Sequence, residues 1–357
     1  MKYLLNNTEI NEVKTLFKTF EDNETITNIY EEILFLHSKD LSKEIFDSKG
    51  LYGGILKILD IDGEDKEFKE LANKYLFPKI KEENIDKYLN NPYVKNIKLN
   101  NINYASYKLS YESYQPYEIF VLNDLIIDQE NYFKEIPTLS CFTKPFNYQT
   151  IKYKNTTWMS LIPHEINTME KAIFEASGNV VVYGLGLGYF PYMVSLKDSV
   201  NHIDIIEKDP KIIELFKQNI LPQFNNKKKI NIIENDAFKY INNNNKYDYI
   251  FVDLWHDAND GIKTYIHFIK NESMSNKYFY WIEETLLCYV RRSLILMINE
   301  EINGSLDKDY LKQSNFHDEL INALHFKLKD KEITTYDDIK ELLINDNLKK
   351  LLKELDI

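Results

Sequence analysis

Arginine is almost missing from this chain of 357 residues: the only two are the adjacent pair Arg291 and Arg292. Acidic side chains outnumber basic ones by 56 to 44, for a formal net charge of -12. Affinity for nucleic acid draws on cations that displace counterions from the phosphate backbone, so neither DNA nor RNA is expected as a partner. The lysines do not change this, because they sit among acids, as in Lys79-Ile80-Lys81-Glu82-Glu83 and Lys329-Asp330-Lys331-Glu332. Such a pattern cancels its own field beyond ~8 Å in physiological salt. Cysteine is scarce as well. Cys141 and Cys288 have no second thiol or histidine at ligand spacing, which argues against a disulfide scaffold, a structural zinc site or a redox pair. No metal is expected, and a reducing, cytoplasmic compartment is. Long apolar runs are also lacking. Met1 to Glu9 has no apolar stretch of signal-peptide length, and Leu286 to Ile298 is broken by the two arginines and falls short of the ~20 residues of a membrane span.

What is present is enough apolar material, 44% of the residues, for more than one core. Over residues 1–90 apolar residues recur at three and four, as in Ile26, Ile29, Ile33 and Leu36, with breaks at Gly53-Gly54 and Pro78, so a helical N-terminal region is expected. Over 91–160 the pattern turns to alternation, as in Ile97 and Leu99, Ile102 and Tyr104, Ile151 and Tyr153, which predicts a small β-rich domain. Four segments of buried-strand type follow, Asn179-Tyr183, His202-Ile206, Ile230-Ile233 and Tyr249-Val252, each with a helical segment after it. That alternation predicts an α/β fold with a doubly wound, Rossmann-like parallel sheet over 161–302. A further strand at Tyr278-Ile282, a long helix from Glu284 to Ile302 and extra C-terminal helices over 303–357 complete the reading.

Four of the ten glycines fall within eleven residues: Gly178, Gly184, Gly186 and Gly188, the last three forming Gly184-Leu185-Gly186-Leu187-Gly188 directly after a strand. A tight strand-to-helix turn can require glycine for backbone geometry alone. Yet Pro191 sits where a first helical turn would start, and Glu207 closes the next strand nineteen residues beyond Gly188. In such folds the ligand lies outside the carboxyl ends of the strands and the acid after the second strand accepts hydrogen bonds from a ribose. A dinucleotide site would want Gly-x-Gly-x-x-Gly, and Tyr189 stands where its last glycine belongs, which disfavours a nicotinamide cofactor.

The Gly-x-Gly-x-Gly loop resembles motif I of the class I S-adenosylmethionine-dependent methyltransferase superfamily. Ile203-Asp204-Ile205-Ile206-Glu207, Ile233-Glu234-Asn235-Asp236-Ala237 and Tyr247-Asp248-Tyr249-Ile250-Phe251-Val252-Asp253 are similar to its second, third and fourth motifs, in order. The resemblance implies S-adenosylmethionine as cofactor, held by Gly184, Gly186, Gly188 and Glu207. It implies that Asp236 meets the adenine amino group with the backbone of Ala237 beside the ring, although an aspartate that starts a helix is equally well explained as a cap. Asp253 would sit at the mouth, with His256 as a second candidate base, against the alternative that His256 is a loop residue with a backbone partner; Trp255 reads first as packing.

A weaker similarity is to the spermidine synthase branch, the polyamine aminopropyltransferases. It lies in Val182 two residues before the first motif glycine, in Asn147-Tyr148-Gln149-Thr150-Ile151, which implies Gln149 as a cofactor contact, and in Pro163-His164-Glu165. The fourth motif of that branch reads Asp-x-x-Asp, whereas this chain reads Asp253-Leu254-Trp255-His256-Asp257, with the second acid one residue late. Methyl transfer to a small molecule or protein acceptor is therefore expected before aminopropyl transfer, with a non-catalytic adenosyl-binding protein as a further alternative. Tyr278 to Trp281 could wall an acceptor pocket and Glu283 could bind a cation there, though core packing explains the segment better. Nothing in the sequence specifies an oligomeric state.

Overall fold

Val180-Val181-Val182 and Ile203, Ile205 and Ile206 are apolar on both faces of their strands, a pattern only a sheet covered on both sides can bury. They lie in adjacent parallel strands of a five-stranded sheet. The computed structural model describes residues 1–36, 53, 56, 60, 62–75, 80–273, 275–304 and 315–357. In it the strands are Gly178–Tyr183, Val200–Glu207, Ile230–Glu234, Tyr249–Val252 and Lys277–Tyr280, in spatial order third, second, first, fourth, fifth. All four neighbouring pairs are parallel.

Paired residues face the same side, and Val182 pairs with Phe251, so Tyr183 and Phe251 face opposite sides of the sheet. Phe190, from the helix Tyr189–Ser195, stacks on Phe251 at 3.9 Å, while Phe268, from the helix Ala258–Lys270, meets Tyr183 at 4.9 Å. Helices thus cover both faces, as expected of a doubly wound sheet. The strand order reverses between the first and fourth strands, which opens the crevice at their carboxyl ends.

A second sheet precedes this one. Phe146–Tyr153 pairs antiparallel with Tyr107–Tyr114 on one side and Thr156–Ser160 on the other, with Ile102–Tyr104 at the edge. The last hairpin shifts register between Thr157 and Met159, an irregularity that re-aims Trp158. Ahead of it the helix Asn7–Leu36 sends Val13, Leu16 and Phe20 into the main core, and Ile26, Ile29, Tyr30 and Ile33 into a smaller core with Phe68, Ala72 and Tyr75. The breaks expected at Gly54 and Pro78 lie outside the described residues.

Several expectations need correction. Ile97 and Leu99 are buried but not in a strand: Pro92 starts a short helix to Asn96, and the Ile97 amide still donates to the Tyr93 carbonyl at 2.8 Å. The region read as wholly helical contains strands, because Ile80–Glu82 pairs with Leu139–Cys141 and Lys2–Tyr3 with Glu332–Ile333. The fifth strand ends at Tyr280, since Ile282 adopts a left-handed backbone (φ 47°).

The long helix is Glu283–Asn303, and its first turn is capped from far away in sequence. Asp124 accepts the amides of Glu284 and Thr285 at 3.1 and 3.2 Å. Among the described residues three helices follow, Phe316–Leu328, Tyr336–Leu343 and Asn345–Glu354, and their leucines join the main core. Among the described residues no helix is long and apolar enough to cross a membrane. Both cysteines are buried.

Candidate active site

At the crevice the first and fourth strands end side by side: the Asp253 amide donates to the Tyr183 carbonyl at 3.0 Å, so Asp253 adjoins Gly184. The three loop glycines all have positive φ, and each has a neighbour where a Cβ would stand. At Gly184 (φ +100°) it is the carbonyl oxygen of Asp253 at 2.0 Å, at Gly186 (φ +47°) the Met159 sulfur at 2.3 Å, and at Gly188 (φ +73°) the Phe216 ring at 2.4 Å. The chain's own packing and backbone favour glycine at these places, most strictly at Gly184, where the obstacle is backbone. The glycines therefore shape the crevice and are not by themselves a sign of a ligand.

The ligand argument comes from what the loop exposes. A cavity of about 480 Å³ opens there, within the ~300–1,000 Å³ range of small-molecule sites. Gly184, Gly186, Glu207, Asp236, Ala237, Asp253 and His256 line it, so the structure brings together most of the residues singled out from sequence. Gly188 lies deeper, on a small void behind the loop. Gln149 is not on the cavity wall: it is buried in the second sheet and donates to the Ile97 carbonyl at 3.2 Å.

Each carboxylate is held differently. One oxygen of Glu207 accepts the amides of Lys208 and Asp209, both at 2.8 Å, and the other accepts the Leu185 amide at 3.4 Å, which anchors the carboxylate beside the glycine loop. The lysine that follows it therefore contributes its backbone amide. Asp236 caps a short helix by accepting from Phe238 at 2.9 Å and Lys239 at 3.3 Å, and it lies on the cavity wall as well.

Asp253 is desolvated, and burial pushes its carboxyl up to about 7 while the nearby His256 acts in the opposite sense. Glu165, which stands in the first turn of the helix Pro163–Thr168, lines the same cavity. Its carboxyl is raised well above the usual range by burial and then by the charge of Asp253. Spacing in the sequence gave no reason to group it with Asp253, 88 positions away; only the His-Glu similarity pointed to it. The neighbouring His164 is pushed down to about 4 by burial and meets Trp281 edge-on, so it is neutral at pH 7.

His256 has a carboxylate partner and not the backbone one expected: its Nδ1 lies 2.9 Å from Asp260 Oδ2, on an exposed rim. Asp257 caps the helix Ala258–Lys270 in a reciprocal box with Asp260, accepting amides from Asn259 and Asp260 at 2.7 and 3.2 Å. The second acid of the fourth motif is thus engaged by backbone amides. Glu283 is engaged too, by Lys349 at 2.7 Å and the Tyr265 hydroxyl at 2.8 Å, and it does not line the cavity. All three tryptophans of the chain, Trp158, Trp255 and Trp281, contribute to the wall. Trp255 and Trp281 also pack as expected, the Trp255 indole donating to the Trp281 carbonyl at 3.1 Å.

Residues 171–277, a span that holds all four motifs, match the family model of the spermine/spermidine synthase domain. Among solved structures the chain is similar to the spermidine synthase of Thermotoga maritima, at 15% identity over 42% of this chain and 58% of that one, with a TM-score of 0.31. It is similar to a spermidine synthase in complex with the transition state analogue AdoDATO at 14% identity, over 44% and 63% of the two chains, with a TM-score of 0.31. A protein assigned as a caffeoyl-CoA O-methyltransferase from Staphylococcus aureus is 18% identical over 46% and 72%, with a TM-score of 0.27. The chain spans less than two thirds of the length of either spermidine synthase. At these scores the likeness carries nothing about substrate or reaction. No curated protein matches the sequence. The resemblance of the central segment to the spermidine synthase branch holds over the residues that the family model matches.

Proposed function

We propose that this chain is an S-adenosylmethionine-dependent transferase that moves a methyl group to an amine of a small molecule or a protein side chain. The observation that carries the reading is the convergence of Glu207, Asp236, Ala237 and Asp253 on one cavity at the point where the strand order reverses. The residues suit the donor: Glu207 offers fixed carboxylate oxygens to ribose hydroxyls, and Asp236 offers an acceptor to an adenine amino group. When bound, the donor supplies a sulfonium whose methyl carbon is already open to attack. The protein's task is then to align the acceptor, exclude water and remove a proton. Asp253, poised near neutral, is the base, and His256 on the rim is the second candidate. Glu207, Asp236 and Asp253 outweigh Lys208 along the wall, which favours a cationic amine over an anionic acceptor.

Aminopropyl transfer is the second reading, supported by the family match over residues 171–277 and by the same acidic wall. Methyl transfer is preferred because Asp257, which that chemistry would use for its cationic acceptor, is engaged as a helix cap. Incubation with methyl-labelled S-adenosylmethionine and a mixture of small amines, beside decarboxylated donor with putrescine, separates the two. Labelled methylamine product supports the proposal; spermidine formed in the second reaction, with no labelled product in the first, replaces it. Binding of the adenosyl ligand with no product in either leaves a non-catalytic adenosyl-binding protein.

A further inference from the structure

We propose that Glu165 and Asp253 work as a pair that holds one proton between them: Glu165 keeps it, and Asp253, ionised beside it, takes a proton from the acceptor before transfer. The inference deepens the adenosyl-transfer reading above and adds a second carboxyl to its site. Both residues line the main cavity, and both also line the void of about 30 Å³ behind the glycine loop, room for about one water. The rest of that void is largely apolar, with Met159, Leu161, Met169 and Phe251 around it. No hydrogen bond or ion pair from another described residue engages either carboxyl. Two ionised carboxylates on one wall, with no hydrogen-bond donor or cation engaging either, repel each other, and the pair settles on a single charge.

The surroundings decide which partner is charged. His256, three residues beyond Asp253, is the only imidazole on the cavity wall among the described residues, and its field favours the ionised form of Asp253. It is itself held by Asp260. Glu165 has no such help: on its own helix His164 is turned into the Trp281 ring and is neutral. The hairpin strand Thr156–Ser160 and the glycine loop bring no titratable group to it; Tyr189, held by Asn91, shares the void and Tyr114 of the second sheet feels its charge, and neither is a cation. Glu207, Lys208 and Asp236, the remaining charged groups of the wall, belong to the ends of the second and third strands. Glu165 is thus the partner that stays protonated.

The protons balance as follows. An acceptor that enters as an ammonium ion gives one proton to Asp253, and the pair becomes neutral with two. The freed amine lone pair forms the bond to the methyl carbon as the carbon–sulfur bond breaks, its electron pair remaining on sulfur as a thioether. The positive charge passes to the product nitrogen. Asp253 returns its proton to water after release. Glu165 here positions the charge of Asp253 and touches no reacting atom.

The test needs neither donor nor acceptor. Protein labelled with carbon-13 at the aspartate and glutamate carboxyls is titrated by NMR from about pH 5 to about pH 9, a window that brackets neutrality. Glu165→Gln and Asp253→Asn supply the assignments. Asp253 is expected to titrate at about 7 and Glu165 well above the ordinary carboxylate range. Because the charge of Asp253 acts on Glu165 and the neutral acid acts little in return, Asp253→Asn lowers the Glu165 midpoint by about one pH unit or more, whereas Glu165→Gln leaves Asp253 in place. A Glu165 that titrates in the ordinary carboxylate range, or whose midpoint ignores Asp253→Asn, overturns the pair. So does the reverse pattern, in which only Asp253 responds. Failure of methyl transfer in the labelled-donor experiment would leave this titration untouched, so the two ideas fall separately.

Discussion

Replacing Asp253 by asparagine should make the protein more stable at neutral pH, by an amount that grows as pH rises. A carboxyl whose folded value lies above its unfolded one binds its proton more tightly in the folded state. Its effect on stability is therefore most favourable below the unfolded value and declines as pH climbs towards the folded one. For Asp253 that window runs from the ordinary 3.8 to about 7. At about 1.4 kcal/mol per pH unit, the three units amount to about 4 kcal/mol. This is an upper bound, because a carboxyl that faces a cavity keeps part of its hydration. Asparagine has nearly the same shape and no charge, so the difference between variant and parent separates the loss of the Asp253 charge, including its effect on Glu165, from the change in packing. Urea denaturation of both proteins at several values between about pH 4.5 and about pH 8 reads it, provided the slopes stay equal. The variant's advantage should open across the window and should not close above about pH 7, where relief of Glu165 adds to it. A difference that is constant with pH would show that Asp253 titrates in the ordinary range, and with it the argument for a base poised near neutrality would go.

Gly184→Ala should cost more than ~4 kcal/mol of stability, since a left-handed alanine adds about 1–2 kcal/mol and the new methyl meets backbone, the Asp253 carbonyl oxygen, at 2.0 Å. Gly186→Ala meets only the flexible Met159 side chain, so a loss of about 1–2 kcal/mol is expected. Equal losses in chemical denaturation would contradict the glycine argument. Asp257→Ala should lower stability by about 1 kcal/mol and leave adenosyl-ligand affinity by calorimetry unchanged. A large loss of turnover with stability intact would instead place Asp257 on the acceptor.

The central sheet was legible because its strands are short runs of branched and aromatic residues bounded by turn residues, each followed by a helical pattern. The periods of the two element types differ, and the four motifs stand at strand ends where the fold requires them. The accessory region was less legible because its pairings are long-range and brief. Lys2–Tyr3 joins Glu332–Ile333 across more than 300 positions, and no local propensity of a two-residue strand can announce that. Gln149 misled because a similarity in a strand does not say which face meets the ligand. Here the side chain turns into the second sheet towards the Ile97 carbonyl. Composition is no better guide at the polar run Asn242 to Asn245, where Asn244 is buried and accepts the Tyr183 hydroxyl at 2.5 Å. Asp257 and Glu165 show the complement. An acid in a motif-like place became a cap, and one outside the central sheet came to stand beside Asp253, since side-chain hydrogen bonds and tertiary proximity decide both.

The scarcity of arginine also takes on a physical meaning in the fold. Arg291 is only 2% exposed; its guanidinium donates to the Leu343 carbonyl at 2.9 Å, to Glu284 at 3.2 Å and to Asn345, and lies over the Phe133 ring at 5.5 Å. Arg292 faces Glu135 with both ends of its fork and reaches the Thr27 hydroxyl at 2.7 Å. One helix, Glu283–Asn303, is thereby tied to the C-terminal helices by the first arginine and to the N-terminal helix and β region by the second. A planar guanidinium can satisfy several acceptors at fixed angles within a buried interface, where a lysine would bring a compact, strongly hydrated charge. The two arginines stand where that geometry is needed. Lysine supplies the exposed positive charge, and neither guanidinium is free to meet a phosphate. That supports the proposal of a small-molecule or protein acceptor in place of nucleic acid, on grounds of position as well as of net charge.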